Sequence, residues 1–209
     1  MPNQLLKPIG RFALIVLLSV PMLVQATSVR QLSLAEVMQT SKLIFSGQVV
    51  ASESRWNEDR TAINTLVTFR VDETIKGQHS GQNLTLRFLG GMTDGVLQQV
   101  AAMRYPQLGE NGVYFVTDPN QVFAHPLVGW SQGHYKEVMV NGSARMVTAD
   151  DRPISAIRTS EVNSKSSSTL RLSNGFPDGV SLNDDLNLAM TKSEFMLKVS
   201  SQIEASGSK

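Results

Sequence analysis

Ile63-Asn-Thr-Leu-Val-Thr-Phe-Arg-Val-Asp72 is the clearest stretch of the chain and sets its fold class. Ile63, Thr65, Val67, Phe69 and Val71 fall on one side of an extended backbone, and Asn64, Thr68, Arg70 and Asp72 on the other. A period of two in residues that are largely β-branched or aromatic predicts a half-buried strand. Upstream, Phe45, Gly47, Val49 and Ala51 alternate with Ser46, Gln48 and Ser52, and the polar tip Trp56-Asn-Glu-Asp-Arg60 separates the two runs. The pair is expected to form an antiparallel hairpin with long arms.

Outward from that hairpin the punctuation repeats. Ile75-Lys-Gly77-Gln-His-Ser-Gly81 interrupts the chain before a third strand with Leu84, Leu86 and Phe88 on its core face. Gly90-Gly91 ends it, and residues 92–109 are read as an irregular excursion, long enough to have a role of its own. Asn111-Gly112 leads into a strand over 113–117, and Asp118-Pro-Asn120 turns into another over 121–125. A last pair, 133–140 and 144–147, is joined by Asn141-Gly-Ser143, a strong hairpin signal. Many short strands with one early helix predict an all-β fold, a small closed or nearly closed OB-like Greek-key barrel over residues 27–157.

Two helices flank it. Ser33-Leu-Ala-Glu36 is a capping box, with Leu32 and Val37 placed for a hydrophobic staple; Leu34, Val37 and Met38 form the docking stripe of a short, lid-like helix. Thr191-Lys-Ser-Glu194 is a second capping box and opens a C-terminal amphipathic helix over 191–209, with Phe195, Met196, Val199 and Ile203 near one face. A lone helix of that length is marginal in water, so it must pack on the barrel, bind a partner or fray. Residues 158–190, serine-rich and then turn-forming, are read as a polar flexible linker.

Residues 1–26 have the form of a secretory signal peptide: Lys7 and Arg11, an apolar run over 12–24, and Val-Gln-Ala before cleavage after Ala26. That run is shorter than the roughly 20 apolar residues of a membrane span. Export by the general secretory route to the periplasm or beyond is expected, with no stable membrane anchor after cleavage. Cleavage removes Lys7 and Arg11 and no acid, leaving 17 basic and 18 acidic residues, a formal charge of −1. Such a balance gives no reason to expect nucleic acid as a partner. The chain has no cysteine, which excludes thiol nucleophiles, thiolate metal sites and disulfides.

The segments Leu32-Ser-Leu-Ala-Glu36, Leu43-Ile-Phe-Ser-Gly-Gln-Val-Val50, Val71-Asp-Glu-Thr-Ile-Lys-Gly77 and Trp130-Ser-Gln-Gly-His-Tyr135 together resemble a group of exported bacterial proteins to which no activity is attached. More distantly, the strand ending in Lys76-Gly77 resembles the netrin-like barrels of the tissue inhibitors of metalloproteinases. That resemblance implies a five-stranded Greek-key barrel. Those inhibitors use a disulfide-fixed N-terminal cysteine on the target zinc; the mature start expected here, Thr27-Ser28-Val29, contains none.

No catalytic set assembles from the sequence. His79, His125 and His134 lie in separate turns or strand ends without metal-ligand spacing, so no metal or cofactor is expected. His125 and His134 are the candidate bases if the protein is a hydrolase, but no nucleophile elbow accompanies them. Trp130, Gln132, His134 and Tyr135 gather aromatic rings and polar groups suited to recognition of a sugar or peptide, the structural alternative being that Trp130 caps the barrel and Gly133 marks a bulge. Trp56 at the hairpin tip, and Arg104 and Tyr105 in the excursion, are further binding candidates. The expectation is a non-enzymatic binding module that meets a protein partner through the 92–109 loop or the C-terminal helix. The alternatives are a metalloprotease-inhibitor-like protein, or a hydrolase using His125 or His134.

Overall fold

The computed structural model describes residues 29–158 and 173–207. The chain runs α1 (Leu34–Thr40), β1 (Leu43–Trp56), β2 (Ile63–Lys76), β3 (Asn83–Leu89), β4 (Gly91–Thr93), β5 (Val96–Gln98), β6 (Asn111–Val116), β7 (His134–Val140), β8 (Ser143–Thr148), β9 (Ile154–Ile157), β10 (Val180–Leu182) and α2 (Lys192–Gly207). Short 3₁₀ turns cover Trp130–Gly133 and Leu186–Leu188. The fold is mainly β, as the alternation predicts. Six strands form one antiparallel sheet in the order β3-β2-β1-β6-β7-β8, and β4-β5 and β9-β10 form two small pairs.

The expected hairpin of long arms is β1-β2, paired from Ile44↔Lys76 to Trp56↔Ile63. After the meander β1-β2-β3 the chain returns beside β1 as β6, which is the Greek-key order. β3 and β8 end the order, and no ladder joins them among the described residues. Three register shifts, at Ile44/Phe45, Ser46/Gly47 and Val49/Ala51, bend and twist β1. At Gly47 a Cβ would run into the Arg70 carbonyl oxygen, so the second bulge needs a residue without a side chain.

Leu43, Ile44 and Phe45 are all buried because β1 is covered on both faces. On one face, Leu43, Phe45, Val67, Phe69, Leu84, Leu86, Phe88, Tyr114 and Val116 form a core made almost wholly by the sheet. Its centre is a ring cluster, Phe45, Phe69 and Tyr114, with centroids 4.7–5.4 Å apart. On the other face, Ile44, Val113, Phe115, Tyr135 and Met146 pack beneath α1, α2, β9 and β10.

Both predicted capping boxes form. Glu36 N–H donates to Ser33 Oγ (3.1 Å) and Ser33 N–H to Glu36 Oε2 (2.7 Å); the matching bonds between Thr191 and Glu194 are 3.2 and 2.8 Å. α2 packs onto the sheet with Phe195 and Val199 fully buried, so the amphipathic helix closes the second core.

Three expectations need correction. Residues 121–125 form no strand; they lie in a loop that touches the β3 edge through the Ala124 carbonyl and rejoins the sheet through a bridge from Leu127 to Val116. The first part of 92–109 belongs to a regular hairpin, β4-β5 over residues 91–98, rather than to an irregular excursion. The linker expected over 158–190 is structured from 173 onward: β10 pairs with β9, Asp178 bridges Ser33, and Val180, Ala189 and Met190 are buried. Its apolar residues are too sparse to show a local period, and only the long-range partners reveal their burial. The rest of that segment, 159–172, and the signal sequence expected over 1–26 lie outside the described residues.

The Lys76-Gly77 pair has a structural role. Lys76 Nζ donates to the carbonyls of Met38 (2.7 Å) and Gln39 (3.3 Å), supplying a cation to the C-terminal end of α1 that α1 itself lacks. Gly77 has φ +83° and lies against the Lys42 carbonyl oxygen, where a Cβ would collide. Gly77→Ala is therefore expected to cost about 2 kcal/mol of stability, and Lys76→Met about 1 kcal/mol. Urea unfolding followed by circular dichroism measures both; equal midpoints for Gly77→Ala and the parent would refute the packing account.

Candidate functional site

Two groups of polar and aromatic side chains merit a functional reading. One is inside the sheet and the other at its tip. Inside, Glu110 sits just before β6, held by its carbonyl to the Val49 N–H (2.9 Å). Its Oε1 accepts from Tyr114 Oη (3.1 Å) and from His134 Nε2 (2.5 Å). His134 and Tyr114 face each other across β6 and β7, with stacked rings 5.5 Å apart. Burial, reinforced by the Glu110 carboxylate, pushes the Tyr114 phenol far above its usual range and keeps it a donor.

A carboxylate orienting an imidazole supplies two of the three members of a catalytic triad. The nucleophile is missing here: His134 Nδ1 is buried with no hydrogen-bond partner among the described residues, and the side chain is 2% exposed. His125 is committed as well. Its Nδ1 accepts from the Leu127 N–H (3.3 Å) and its Nε2 donates to the Arg104 carbonyl (3.2 Å). The ring stacks on Trp130 at 5.8 Å and meets Phe88 edge-on at 5.0 Å. Desolvation depresses its pKa to about 4, so it is neutral near pH 7. The hydrolase alternative thus meets two sealed histidines. Among the described residues no three acidic or histidine side chains converge as metal ligands.

The aromatic segment 128–135 turns inward. Gln132 is fully buried and clamps the N-terminal segment, donating to the Arg30 and Gly129 carbonyls (2.9 and 3.2 Å) and accepting from the Leu32 N–H (2.8 Å). Tyr135 is fully buried between Phe115 and Phe195 (5.4 and 4.9 Å), because α2 lies over it. Only Trp130 of this segment keeps a partly exposed ring, and no platform for a sugar or peptide forms. Tyr105 closes the core, donating to the Leu89 carbonyl (2.7 Å) and standing edge-on to Phe88. Arg104 is exposed and pairs with Asp150 (2.5 Å).

Trp56 is part of the outer group. Its Nε1 donates to Asp94 Oδ2 (3.1 Å), and the Arg60 guanidinium lies over its ring at 5.6 Å and 3.5 Å from the same carboxylate oxygen. Asp94 and Gly95 form the turn of β4-β5 with φ +51° and +75°, the conformation that an Asp-Gly pair supplies in a type I′ hairpin. At the hairpin's base, Gln98 Oε1 accepts from the Ile63 N–H (2.6 Å). A two-stranded ribbon is marginal alone; these contacts tether this one at both ends to the β1-β2 tip. Met92 and Leu97 stand opposite each other on it, 66% and 65% exposed. The sequence signal for this surface was the Asp-Gly pair between Met92-Thr93 and Val96-Leu97.

A histidine that is neutral in the fold and protonates near its ordinary pKa once unfolded makes the unfolded state bind more protons between about pH 6.5 and 4. Stability is therefore expected to fall as pH drops through that window, by on the order of 3 kcal/mol from His125. His125→Gln should flatten that part of the curve in urea titrations at pH 7, 5.5 and 4.5. An unchanged slope would show that His125 is not the group responsible.

Comparison of the chain with protein-family models, with curated proteins and with solved structures finds no match.

Proposed function

We propose that this protein is an exported, non-enzymatic binding module that engages another protein through the β4-β5 hairpin. The observation that carries the reading is the Met92-Leu97 pair. Single exposed apolar residues are ordinary, but a cross-strand pair on a tethered ribbon makes a contiguous apolar contact. Val96, 45% exposed, lies on the opposite face of the same ribbon, next to this pair along the strand. Interfaces favour such rigidly held side chains because little conformational entropy is lost on binding. Export is supported by the form of residues 1–26. The inhibitor alternative rests on a start at Thr27, outside the described residues.

A photo-crosslinking residue at Val96 of the full precursor, expressed in a bacterial host, tests the surface. The expected result is a discrete adduct that is lost in a Met92→Asp/Leu97→Asp background whose melting temperature stays within about 3 °C of the parent, as surface substitutions usually allow. No adduct, or an equal adduct in the double variant, would overturn the reading. Intact mass of the recovered protein checks export: the chain should begin at Thr27.

A further inference from the structure

The β3 edge of the sheet is open for three residues and then blocked. Gly90 N–H donates to the Ile63 carbonyl and the Gln82 carbonyl accepts from Val71 N–H, so even-numbered positions of this strand face β2. Leu89 N–H, by contrast, donates to the Ala124 carbonyl (2.8 Å), so odd-numbered positions face away. The outward N–H and C=O groups of Asn83, Thr85 and Arg87 find no backbone partner among the described residues. The opposite edge, β8, is covered: Met146 and Thr148 donate to the carbonyls of Met190 and Arg152. Natural sheets seldom leave an edge uncovered, because it templates strand pairing.

Beside this edge lies a cleft of about 130 Å³, lined by residues 85–87 of β3 and by 119–122 and Pro126 of the facing loop. That volume is below the roughly 300 Å³ at which small-molecule pockets begin. It accommodates the end of an extended chain rather than a compact ligand. Arg87 lines the cleft; its Nε is buried without a hydrogen-bond partner, and the guanidinium makes no ion pair among the described residues. An unanswered cation in a narrow cleft asks for an anion.

We infer that β3 binds the C-terminal tail of a partner protein as an added strand, with the tail's terminal carboxylate on Arg87. Main-chain bonds to Asn83, Thr85 and Arg87 supply affinity in the manner of strand addition, over about 13 Å or four residues. Ala124 already fills the next place in the ladder, so the added chain stops there. A chain that stops beside Arg87 presents either a carboxylate or an ammonium, and Arg87 repels the ammonium. Because the blocked end is the C-terminal end of β3, the tail runs parallel to β3. This surface is separate from the β4-β5 hairpin and does not depend on it.

The test is selection of random seven-residue peptides, displayed with free C-termini, on the mature full-length protein. Peptides should be enriched, and the best of them should lose at least tenfold in affinity on C-terminal amidation and on Arg87→Gln. Met92→Asp/Leu97→Asp should bind it as the parent does, which separates this inference from the hairpin reading. Absence of enrichment, or equal binding of the amidated peptide, overturns the proposal. The amidation arm leaves the protein untouched, so it stands even if Arg87→Gln proves unstable. Weakening by Arg87→Gln without weakening by amidation would assign the carboxylate to a side chain and likewise overturn it.

Discussion

The structure depends on one strand being buried on both faces. β1 pairs with β2 from Ile44 to Trp56 and with β6 over its first six residues, so everything else is arranged around residues 43–48. A strand in that position must be apolar on successive residues, and Leu43, Ile44 and Phe45 are. It also bends, because each register shift in its pairing with β2 kinks and further twists the strand. Three register shifts and Gly47 provide the bend. Beyond Val49 its only ladder partner among the described residues is β2, and the strand emerges into solvent with Ala51, Ser52 and Glu53 exposed.

The helical layer is fixed to this strand by few but specific bonds. α1 enters through its capping box and leaves over Lys76, whose ammonium replaces the missing cation at the helix end. Gly77 lets β2 end against Lys42, where α1 hands over to β1. The Lys-Gly pair that suggested a likeness to other barrels is thus explained by a local steric and electrostatic need. A motif of that kind follows from the junction and says nothing about a ligand.

The polar interior illustrates the same distinction. Glu110, Tyr114 and His134 form a chain that would draw attention at a surface, yet they lie where the sheet closes over them. The Glu110 carboxylate, which accepts from both Tyr114 and His134, specifies register between β6 and β7, since a one-residue slip would leave it without these donors. The proposed contact surfaces are elsewhere: the tethered hairpin, where Met92, Val96 and Leu97 are exposed, and the β3 edge, whose unused backbone groups are polar.

Much of this was legible because the signals are local. The alternation over Ile63-Asn-Thr-Leu-Val-Thr-Phe-Arg-Val, the two capping boxes and the Asn-Gly turn before β8 each express backbone and side-chain chemistry within a few residues. Asp94-Gly95 carries the same kind of signal, hidden in the length of 92–109. What burial does to a side chain is not local. Tyr135 and Gln132 read as recognition residues until Phe195, sixty residues later, covers one and Arg30, a hundred earlier, takes the other's amide. The segment from 173 on reads as linker until β9 and Ser33 pair with it. Sequence alone determined the strand periods, the helix starts and the absence of thiol chemistry, because these follow from residue type and spacing. Only the tertiary structure decided which polar and aromatic groups face water, because that depends on partners brought together from distant parts of the chain.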